Sequence, residues 1–440
     1  MNTKKMYFVL FSFIALSFTF INCSSDDDKV ILEEGETPNQ PDKTVNQAPE
    51  DFSLVAVMDG ATDVDVKPEF LWNAAIDPDG DNIIYELYMD DINTPITRIA
   101  SDINDTNFTL EERLPLQQDL FWKVVANDSE GNETSSETFS FTTRNLQISE
   151  TPVTENATFS ERTDHTSVVF DNKIWVIGGY DGFSYLNDIW QSSDGETWTQ
   201  ITAEAPFHRR SGHTSVVFNN EIYVIGGFTG VDFLRDIWKS SDGETWAKIT
   251  GASPFPQNGL HSAVVFKDKL WVIGSLDESA KLSNKIWQSG DGETWIPVAV
   301  EAPFPERYNQ STVVFDGKIW IIGGITFNGF QNVLQDVWQS ADGSEWVKVA
   351  EETATEGIAN HTTVVFDDKM WLIAGRDSRL NQNNIYQSID GITWNKVIAE
   401  TPFSKRSGHT SVVFNDKIWL IGGRGGIFGD SYLNDVWSMD

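Results

Sequence analysis

The sequence has one cysteine, few basic residues and an N-terminal apolar run too short to span a bilayer, and each of these features excludes some structures or partners. It has a single cysteine, so no intramolecular disulfide can form. Basic residues are scarce, with 31 lysines and arginines against 66 aspartates and glutamates and a net charge of -35. This excess of acid argues against nucleic acid and anionic membrane surfaces as partners. The uncharged run at residues 6–21 is shorter than the roughly 20 residues needed to span a bilayer.

That N-terminal run has the form of an export signal, because Lys4 and Lys5 precede it and Cys23 follows it after one residue, before "SSDDDK". The arrangement resembles the processing site of bacterial lipoproteins, and the acidic stretch resembles the export tag of Bacteroidetes-type surface lipoproteins. The resemblance implies a signal peptide at 1–22, lipidation of Cys23, and an outer-membrane protein that faces the cell exterior. Membrane contact is then through the lipid anchor only. Residues 23–47 are acidic, polar and proline-containing, which predicts a disordered tether.

Residues 48–144 alternate apolar and polar positions in short runs such as "IIYELYM" and "LFWKVVAND", separated by the turns "DPDGD" and "DSEGN". Several short strands in such a length predict a β-sandwich. The region resembles a fibronectin type III domain, which implies that Trp72 and Trp122 lie in the core on facing sheets. In that family such domains space or present other domains.

Asp77, Asp79 and Asp81 in "DPDGDN" are candidate ligands for a hard cation, since carboxylates at alternate positions offer oxygen atoms. No acid follows at the spacing that a full calcium loop requires, so a polar hairpin turn is the favoured interpretation. We therefore predict no metal site and no cofactor, with a structural calcium ion as the alternative.

Residues 145–440 contain a segment that occurs six times at intervals of about 50 residues, a period typical of propellers. "HTSVVF" begins at His165, His213 and His409, and variants begin at His261, Gln310 and His361. Each repeat has four strand-like runs, which predicts a six-bladed β-propeller. The paired glycines and the recurring tryptophans resemble kelch repeats, the propeller type of galactose oxidase. The predicted fold class is therefore all-β: a six-bladed kelch β-propeller preceded by a fibronectin type III-like β-sandwich.

The sixth repeat stops at "NDVWSMD", before its fourth strand. The segment from Gln147 to Thr154 aligns with the fourth strands of the other repeats. We expect it to supply the missing strand and so close the ring.

The repeats account for most residues that suggest chemistry. All tryptophans except Trp72 and Trp122 fall at three equivalent repeat positions, and all histidines except His208 begin a repeat. These positions predict core packing and structural hydrogen bonds. The "SSDGETW" turns resemble the structural Asp-box of sialidases. Galactose oxidase activity is excluded, because its cofactor needs a cysteine crosslinked to tyrosine and the sole cysteine belongs to the predicted anchor.

Strand order predicts two faces. The tight-turn face carries nearly identical short turns, whereas the variable face carries the loops after the paired glycines and the loops that precede each "HTSVVF". The loops that precede "HTSVVF" have arginine at one equivalent position in four repeats: Arg162, Arg210, Arg307 and Arg406. The other two repeats have Asn258 and Ile358 there. Two interpretations stay open, namely arginines that bond neighbouring loops and a ring of guanidinium groups that binds carboxylates or sulfates.

Further candidates for the ligand site lie in the loops after the glycines. Arg376 and Arg424 directly follow the glycines of their repeats and should point inward, while Tyr180, Phe228 and Phe327 add aromatic surface.

The sequence thus predicts a surface lipoprotein whose propeller binds an extracellular glycan or protein, acidic in character, without catalysis. The alternative is a carbohydrate-active enzyme of epimerase or lyase type, for which Asp377 and Glu356 are the candidate acid and base. A purely structural role is the third hypothesis.

Overall fold

The computed structural model describes residues 45–249, 259–276, 281–299, 302–327, 330–351, 357–397 and 400–440. Every regular element in these ranges is a β-strand, which confirms the prediction of an all-β protein. No helix among them is long and apolar enough to cross a membrane. The predicted signal peptide, Cys23 and most of the predicted tether lie outside the described residues.

The N-terminal region forms two sheets packed face to face. One sheet has the order β1-β3-β6, and the other has the order β2-β9-β7-β4-β5 with β8 beside β7. Trp72 on the first sheet and Trp122 on the second are both buried, as predicted. The strands are β1 Leu54–Ala56, β2 Ala61–Val64, β3 Glu69–Trp72, β4 Ile84–Asp90, β5 Arg98–Ile103, β6 Asn107–Thr109, β7 Asp119–Asn127, β8 Glu133–Ser135 and β9 Phe139–Thr143.

Repeats 1 to 3 each form a four-stranded antiparallel sheet in chain order. Repeat 1 consists of β10 Thr166–Phe170, β11 Lys173–Tyr180, β12 Tyr185–Ser192 and β13 Thr199–Thr202. Repeat 2 consists of β14 Thr214–Phe218, β15 Glu221–Phe228, β16 Phe233–Ser240 and β17 Ala247–Lys248. Repeat 3 consists of β18 Ser262–Phe266, β19 Lys269–Leu276, β20 Leu282–Ser289 and β21 Ile296–Ala299.

Repeats 4 to 6 vary this pattern. Repeat 4 has β22 Ser311–Phe315, β23 Lys318–Ile322, β26 Val337–Ser340 and β27 Val347–Ala350, with an extra hairpin formed by β24 Ile325–Phe327 and β25 Gln331–Val333. Repeat 5 has β28 Thr362–Phe366, β29 Lys369–Arg376, β30 Asn381–Ser388 and β31 Asn395–Lys396. The short strand β32 Arg406–Ser407 joins it to repeat 6, which has β33 Thr410–Phe414, β34 Lys417–Gly425 and β35 Ser431–Met439.

The first strands of the repeats contact one another in a closed cycle, in which β33 of repeat 6 returns to β10 of repeat 1. The same closure is visible in a ring of backbone hydrogen bonds, with Asp164 N–H donating to Gly408 and Gly212 N–H donating to Asp164. We call its members the axis ring. They precede the repeat markers and are Asp164, Gly212, Leu260, Asn309, Asn360 and Gly408. The arrangement is that of a propeller.

The segment before repeat 1 completes repeat 6, as the sequence predicts. Backbone hydrogen bonds join Gln147 to Asp440 in both directions, and Thr154 pairs in the same way with Val436. The outer edge of β35 is therefore covered by the start of the propeller rather than exposed.

At five of the six joints between successive repeats, an aromatic side chain of one repeat packs on a glycine of the next. A Cβ atom added to Gly243 would lie 2.3 Å from the Trp175 ring of the preceding repeat, and one added to Gly391 would lie 2.1 Å from Trp320. Because the glycines have positive φ, they provide both the turn and the space. The predicted role of the repeated tryptophans in packing between repeats is confirmed.

At the joint between repeats 5 and 6, no glycine of the described residues packs on Trp371. The N-terminal sandwich covers it instead, since Val66 and Leu116 belong to the same buried cluster as Trp371. Polar contacts reinforce the joint: Arg113 pairs with Asp367 at 2.7 Å, and the backbone N–H of Leu116 donates to Asp367 Oδ2. The sandwich thus packs on the tight-turn face through both apolar and polar contacts.

Candidate functional site

Four of the predicted ligand-binding arginines lie inside the repeats. Arg162, Arg210, Arg307 and Arg406 have no exposed surface. Arg210 donates from Nη1 and Nη2 to the two oxygens of Asp236, at 2.8 and 3.0 Å, and from Nη1 to the carbonyl of Gly226. Its guanidinium carbon also lies 5.1 Å from the centre of the Phe207 ring. The prediction that these arginines contact a ligand is wrong, because their donors are used within the fold.

The same contacts recur in the other arginine-containing repeats, with the acids Asp188, Asp336 and Asp435. Burial alone would raise the pKa of Asp236, but the hydrogen bonds and charge of Arg210 outweigh it and lower that pKa. A tryptophan completes each set; Trp238, for example, donates to Asp236 from its indole N–H.

A pattern in the sequence could have revealed these pairs. The aspartate occurs in the four repeats that have the arginine, whereas repeats 3 and 5 have Lys285 and Asn384 at the aspartate position. In repeat 5, Ile358 replaces the arginine and is buried. Asn258, its counterpart in repeat 3, lies outside the described residues. The two positions therefore change together, as expected of a buried ion pair.

A second ring of residues surrounds the axis ring on the variable face. Each member directly follows the glycine pair or its equivalent, and each pairs with the backbone just before an axis-ring residue. The members are Tyr180, Phe228, Leu276, Ile325, Arg376 and Arg424. The mouth of the propeller is therefore aromatic beside repeats 1 and 2, aliphatic beside repeats 3 and 4, and cationic beside repeats 5 and 6.

The cationic side of the mouth is a small cavity of about 50 Å³. Arg376, Arg379 and Arg424 line it together with Ser407 and Asn381. No carboxylate of the described residues lies within the 4.0 Å of an ion pair from Arg376 or Arg424. Their observed hydrogen bonds go to the backbone, from Arg376 to the carbonyl of Asp377 and from Arg424 to that of Gly429. Three arginines without an ion-pair partner among the described residues thus line one cavity in a protein of net charge -35.

The aromatic side is a continuous arc of partly exposed rings. The distance between ring centres is 5.8 Å from Tyr432 to Tyr180 and 4.9 Å from Tyr180 to Tyr185. It is 5.7 Å from Tyr185 to Phe228. The guanidinium carbon of Arg424 lies 5.9 Å from the Tyr432 ring, so the arc meets the cationic cavity. Tyr180 and Phe228 lie in this wall, whereas Phe327 lies in the variable loop of repeat 4 and is 60% exposed.

The axial cavity below the mouth has a volume of about 270 Å³ and is lined by the start of each repeat. His213 Nε2 lies 3.0 Å from the Thr166 hydroxyl, and His165 and His409 make the equivalent contact. Burial lowers the pKa of His213 and His361 to about 3 and that of His261 to about 4. The histidines are therefore neutral at physiological pH and form no metal group among the described residues.

Asp164 is a candidate that the sequence analysis missed. It is the one acid in the axis ring, and burial raises its pKa to about 6 against the opposing charge of Arg424 and a hydrogen bond with Thr163. The signal was present in the sequence, since the residue before each repeat marker is Asp, Gly, Leu, Asn, Asn and Gly in turn. Its position on the axis could not be recognised without the fold.

Asp377, the predicted acid or base of an enzyme, is used in a turn. Its Oδ1 accepts the backbone N–H groups of Arg379 and Leu380, and its Oδ2 accepts the Gln382 amide. Glu356 lies outside the described residues. The repeated "SDG" turns are likewise structural, because Asp242 Oδ1 accepts two backbone N–H groups and the Ser240 hydroxyl.

The acidic turn of the sandwich differs from the predicted set. Asp77, Asp81 and Asp128 offer oxygens within 4.8 Å of one another, whereas Asp79 is not in this group. Asp77 Oδ1 accepts the N–H groups of Asp79 and Asp81, which is the hydrogen bonding of a polar turn. Asp128 is held by several hydrogen bonds, which outweigh its burial and lower its pKa to about 2.

Comparisons with known proteins identify the repeats. The family model of the KLHDC2/KLHL20/DRC7 Kelch-repeats domain matches residues 125–324 and 194–375, and that of the Kelch motif matches residues 405–440. Since these matches cover more than half of the chain, it belongs to the kelch-repeat family. A solved structure titled "Structure of YjhT" is similar with a TM-score of 0.54, covering 64% of this chain and 96% of that chain. At 16% identity this likeness concerns the fold alone, and no curated protein matches the sequence.

Proposed function

We propose that this chain is a surface-anchored lipoprotein whose variable face binds an acidic extracellular glycan or protein without catalysis. The observation that carries the proposal is the convergence of Arg376, Arg379 and Arg424 on one cavity without acid partners among the described residues. Guanidinium groups are suited to carboxylates and sulfates because their donors match the spacing of the acceptor oxygens. On so acidic a protein, this cavity is a local exception that attracts anions.

The orientation of the domains supports this function. Asn46 and Gln47 hydrogen-bond to Asp128 and Asp79, at the end of the sandwich where β7 finishes. The contacts with the propeller lie at the other end, roughly 30 Å away along β7. Because the propeller is held by its tight-turn face, its variable face lies on the side away from the point where the chain enters the sandwich.

We assign the sandwich to the fibronectin type III-like class and the propeller to the six-bladed class. The sheet orders and the two core tryptophans support the first assignment. The closed cycle of first strands and the axis ring support the second. The sandwich then presents the propeller through a joint with its own apolar and polar contacts.

Replacing Arg376 and Arg424 together with alanine should abolish binding of acidic ligands, because the cavity loses two of its three guanidinium groups. We would apply the full chain to an array of acidic and neutral glycans and peptides at low and high salt. Wild-type binding should be confined to acidic ligands and should weaken as salt rises.

The matched control for this pair is Arg209→Ala, which removes an exposed arginine that pairs with Glu204. It should bind as the wild type does. Binding that is equally strong in the double variant, or confined to neutral ligands, would refute the proposed anion site.

The enzyme hypothesis, an epimerase or lyase, gains one observation in Asp164, whose raised pKa suits proton transfer near neutral pH. Asp377 does not provide its partner, since its oxygens are used in the turn. Chemical conversion of an array ligand by the wild-type chain, lost in Asp164→Asn, would establish this second function.

A further inference from the structure

The axis ring holds one carboxyl between two glycines. Its six members all have left-handed backbones, with φ of 53° at Asp164, 57° at Gly212 and 62° at Gly408. Such a backbone is adopted most readily by glycine, asparagine and aspartate, so Asp164 fits its position and places the one carboxyl of the ring there. Asp164 is flanked on both sides by ring positions that have no side chain.

Gly408 provides the space in which the carboxyl lies. A Cβ atom at Gly408 would lie 2.8 Å from Asp164 Oδ1 and 2.3 Å from the Thr163 hydroxyl. Gly408 follows Ser407, whose backbone pairs with Arg424. Gly408 and Ser407 therefore link the space beside the Asp164 carboxyl to the cationic cavity, which Ser407 lines.

The surroundings of Asp164 leave its oxygens available. Arg424 is the cation that acts on it, the Thr163 hydroxyl donates to the carbonyl of Gly408, and the neighbouring His165 is neutral because burial holds its pKa well below the usual range. Tyr185 faces it from the aromatic arc; burial raises the pKa of that phenol, and the charge of Asp164 adds to the effect. No lysine or arginine of the described residues lies within ion-pair distance of Asp164.

We propose that Asp164 is a specificity-determining residue that selects acids carrying a hydroxyl group beside the acid group. This inference rests on the proposed function, in which Arg376 and Arg424 hold the acid. An ionised Asp164 accepts a hydrogen bond from the ligand hydroxyl and repels a bare anion. Hydroxylated acids such as sugar acids are thereby favoured at neutral pH over inorganic anions of similar size.

The selectivity should depend on pH in a defined direction. Below about pH 6 the carboxyl of Asp164 becomes protonated, so its repulsion of a second anion ends. A bare anion should therefore bind more tightly as the pH falls through this range. The hydroxylated acid should change less, because the protonated carboxyl still offers hydrogen-bonding atoms.

The test is a calorimetric titration of the full chain with sulfate and with D-glucuronate, both of which stay ionised between about pH 5 and 7.5. At about pH 7.5, Asp164→Asn should tighten sulfate binding by roughly threefold or more and weaken glucuronate binding. The pH dependence of sulfate binding should disappear. The variant should fold, because asparagine keeps the left-handed backbone. The pKa of Asp164 is raised in the folded state, so its ionised carboxyl disfavours the fold above about pH 6. Removing that charge therefore does not destabilise the protein.

Asp232→Asn is the matched control, since it removes an exposed carboxyl from the variable loop of repeat 2 and should change neither affinity. Equal changes in both affinities, or no change, in Asp164→Asn would overturn the proposal, as would a wild-type chain that binds neither anion. Failure of the proposed function is distinguishable, because sulfate would then bind equally well to the variant lacking Arg376 and Arg424.

Discussion

Replacing Arg210 with alanine is expected to lower the free energy of unfolding by about 3–5 kcal/mol. The guanidinium group is fully buried and makes a two-point contact with Asp236. Its removal leaves Asp236, whose side chain is only 10% exposed, as a buried carboxylate without its counter-ion. Chemical denaturation of the full chain, monitored by tryptophan fluorescence, measures the change.

The neighbouring residue provides the control for this prediction. Arg209 is 52% exposed and pairs with Glu204, which is 71% exposed, so Arg209→Ala should change stability by no more than about 0.5 kcal/mol. Similar small effects of both substitutions would contradict the structural role of the buried arginines. Loss of ligand binding in a stable Arg210→Ala variant would restore the interpretation of these residues as a binding ring.

Leu116→Ala is expected to lower the free energy of unfolding by about 2–5 kcal/mol. The residue lies in the sandwich but packs on the propeller. Leu116 is fully buried in the cluster that covers Trp371 of the propeller. Its truncation leaves a cavity in the joint, and the polar contacts of Asp367 around it lose their packing support. Differential scanning calorimetry with tryptophan fluorescence should show a lower transition temperature and earlier exposure of the joint.

Ile96→Ala is the control, because Ile96 belongs to the sandwich but is 73% exposed. It should leave the transition unchanged. If Leu116→Ala shifts only a separate sandwich transition while that of the propeller stays constant, the two domains are not coupled in the way described.

The repeat pattern predicts the fold of the propeller because its residues meet the same local demands in every repeat. The first hairpin of repeat 1 turns at Asp171 and Asn172, which both adopt positive φ, as a tight hairpin turn requires. The short sixth repeat also predicts its own completion, since the missing strand appears elsewhere in the sequence. Both inferences depend only on periodicity and turn chemistry.

The proposed binding site was harder to predict because its residues meet only after the ring has closed. Equivalent positions revealed the arginines but not their surroundings, so a structural role and a ligand-binding ring both stayed open for Arg162 and its counterparts, and their buried aspartate partners were not recognised. Asp164 was missed for the same reason, since its significance depends on Gly408 and Arg424 from the other end of the propeller. Contact between the sandwich and Trp371 is a further long-range feature that no local pattern indicates.

The central claim is that ligands bind the variable face, and hydrogen exchange of the full chain with and without its tightest acidic array ligand tests it most directly. Protection should appear at the aromatic arc and at the loops that carry Arg376 and Arg424, where bound ligand would restrict the backbone. The turn at Asp367 and the repeated "SDG" turns of the tight-turn face should exchange as before. Protection confined to the tight-turn face or to the sandwich would contradict the account.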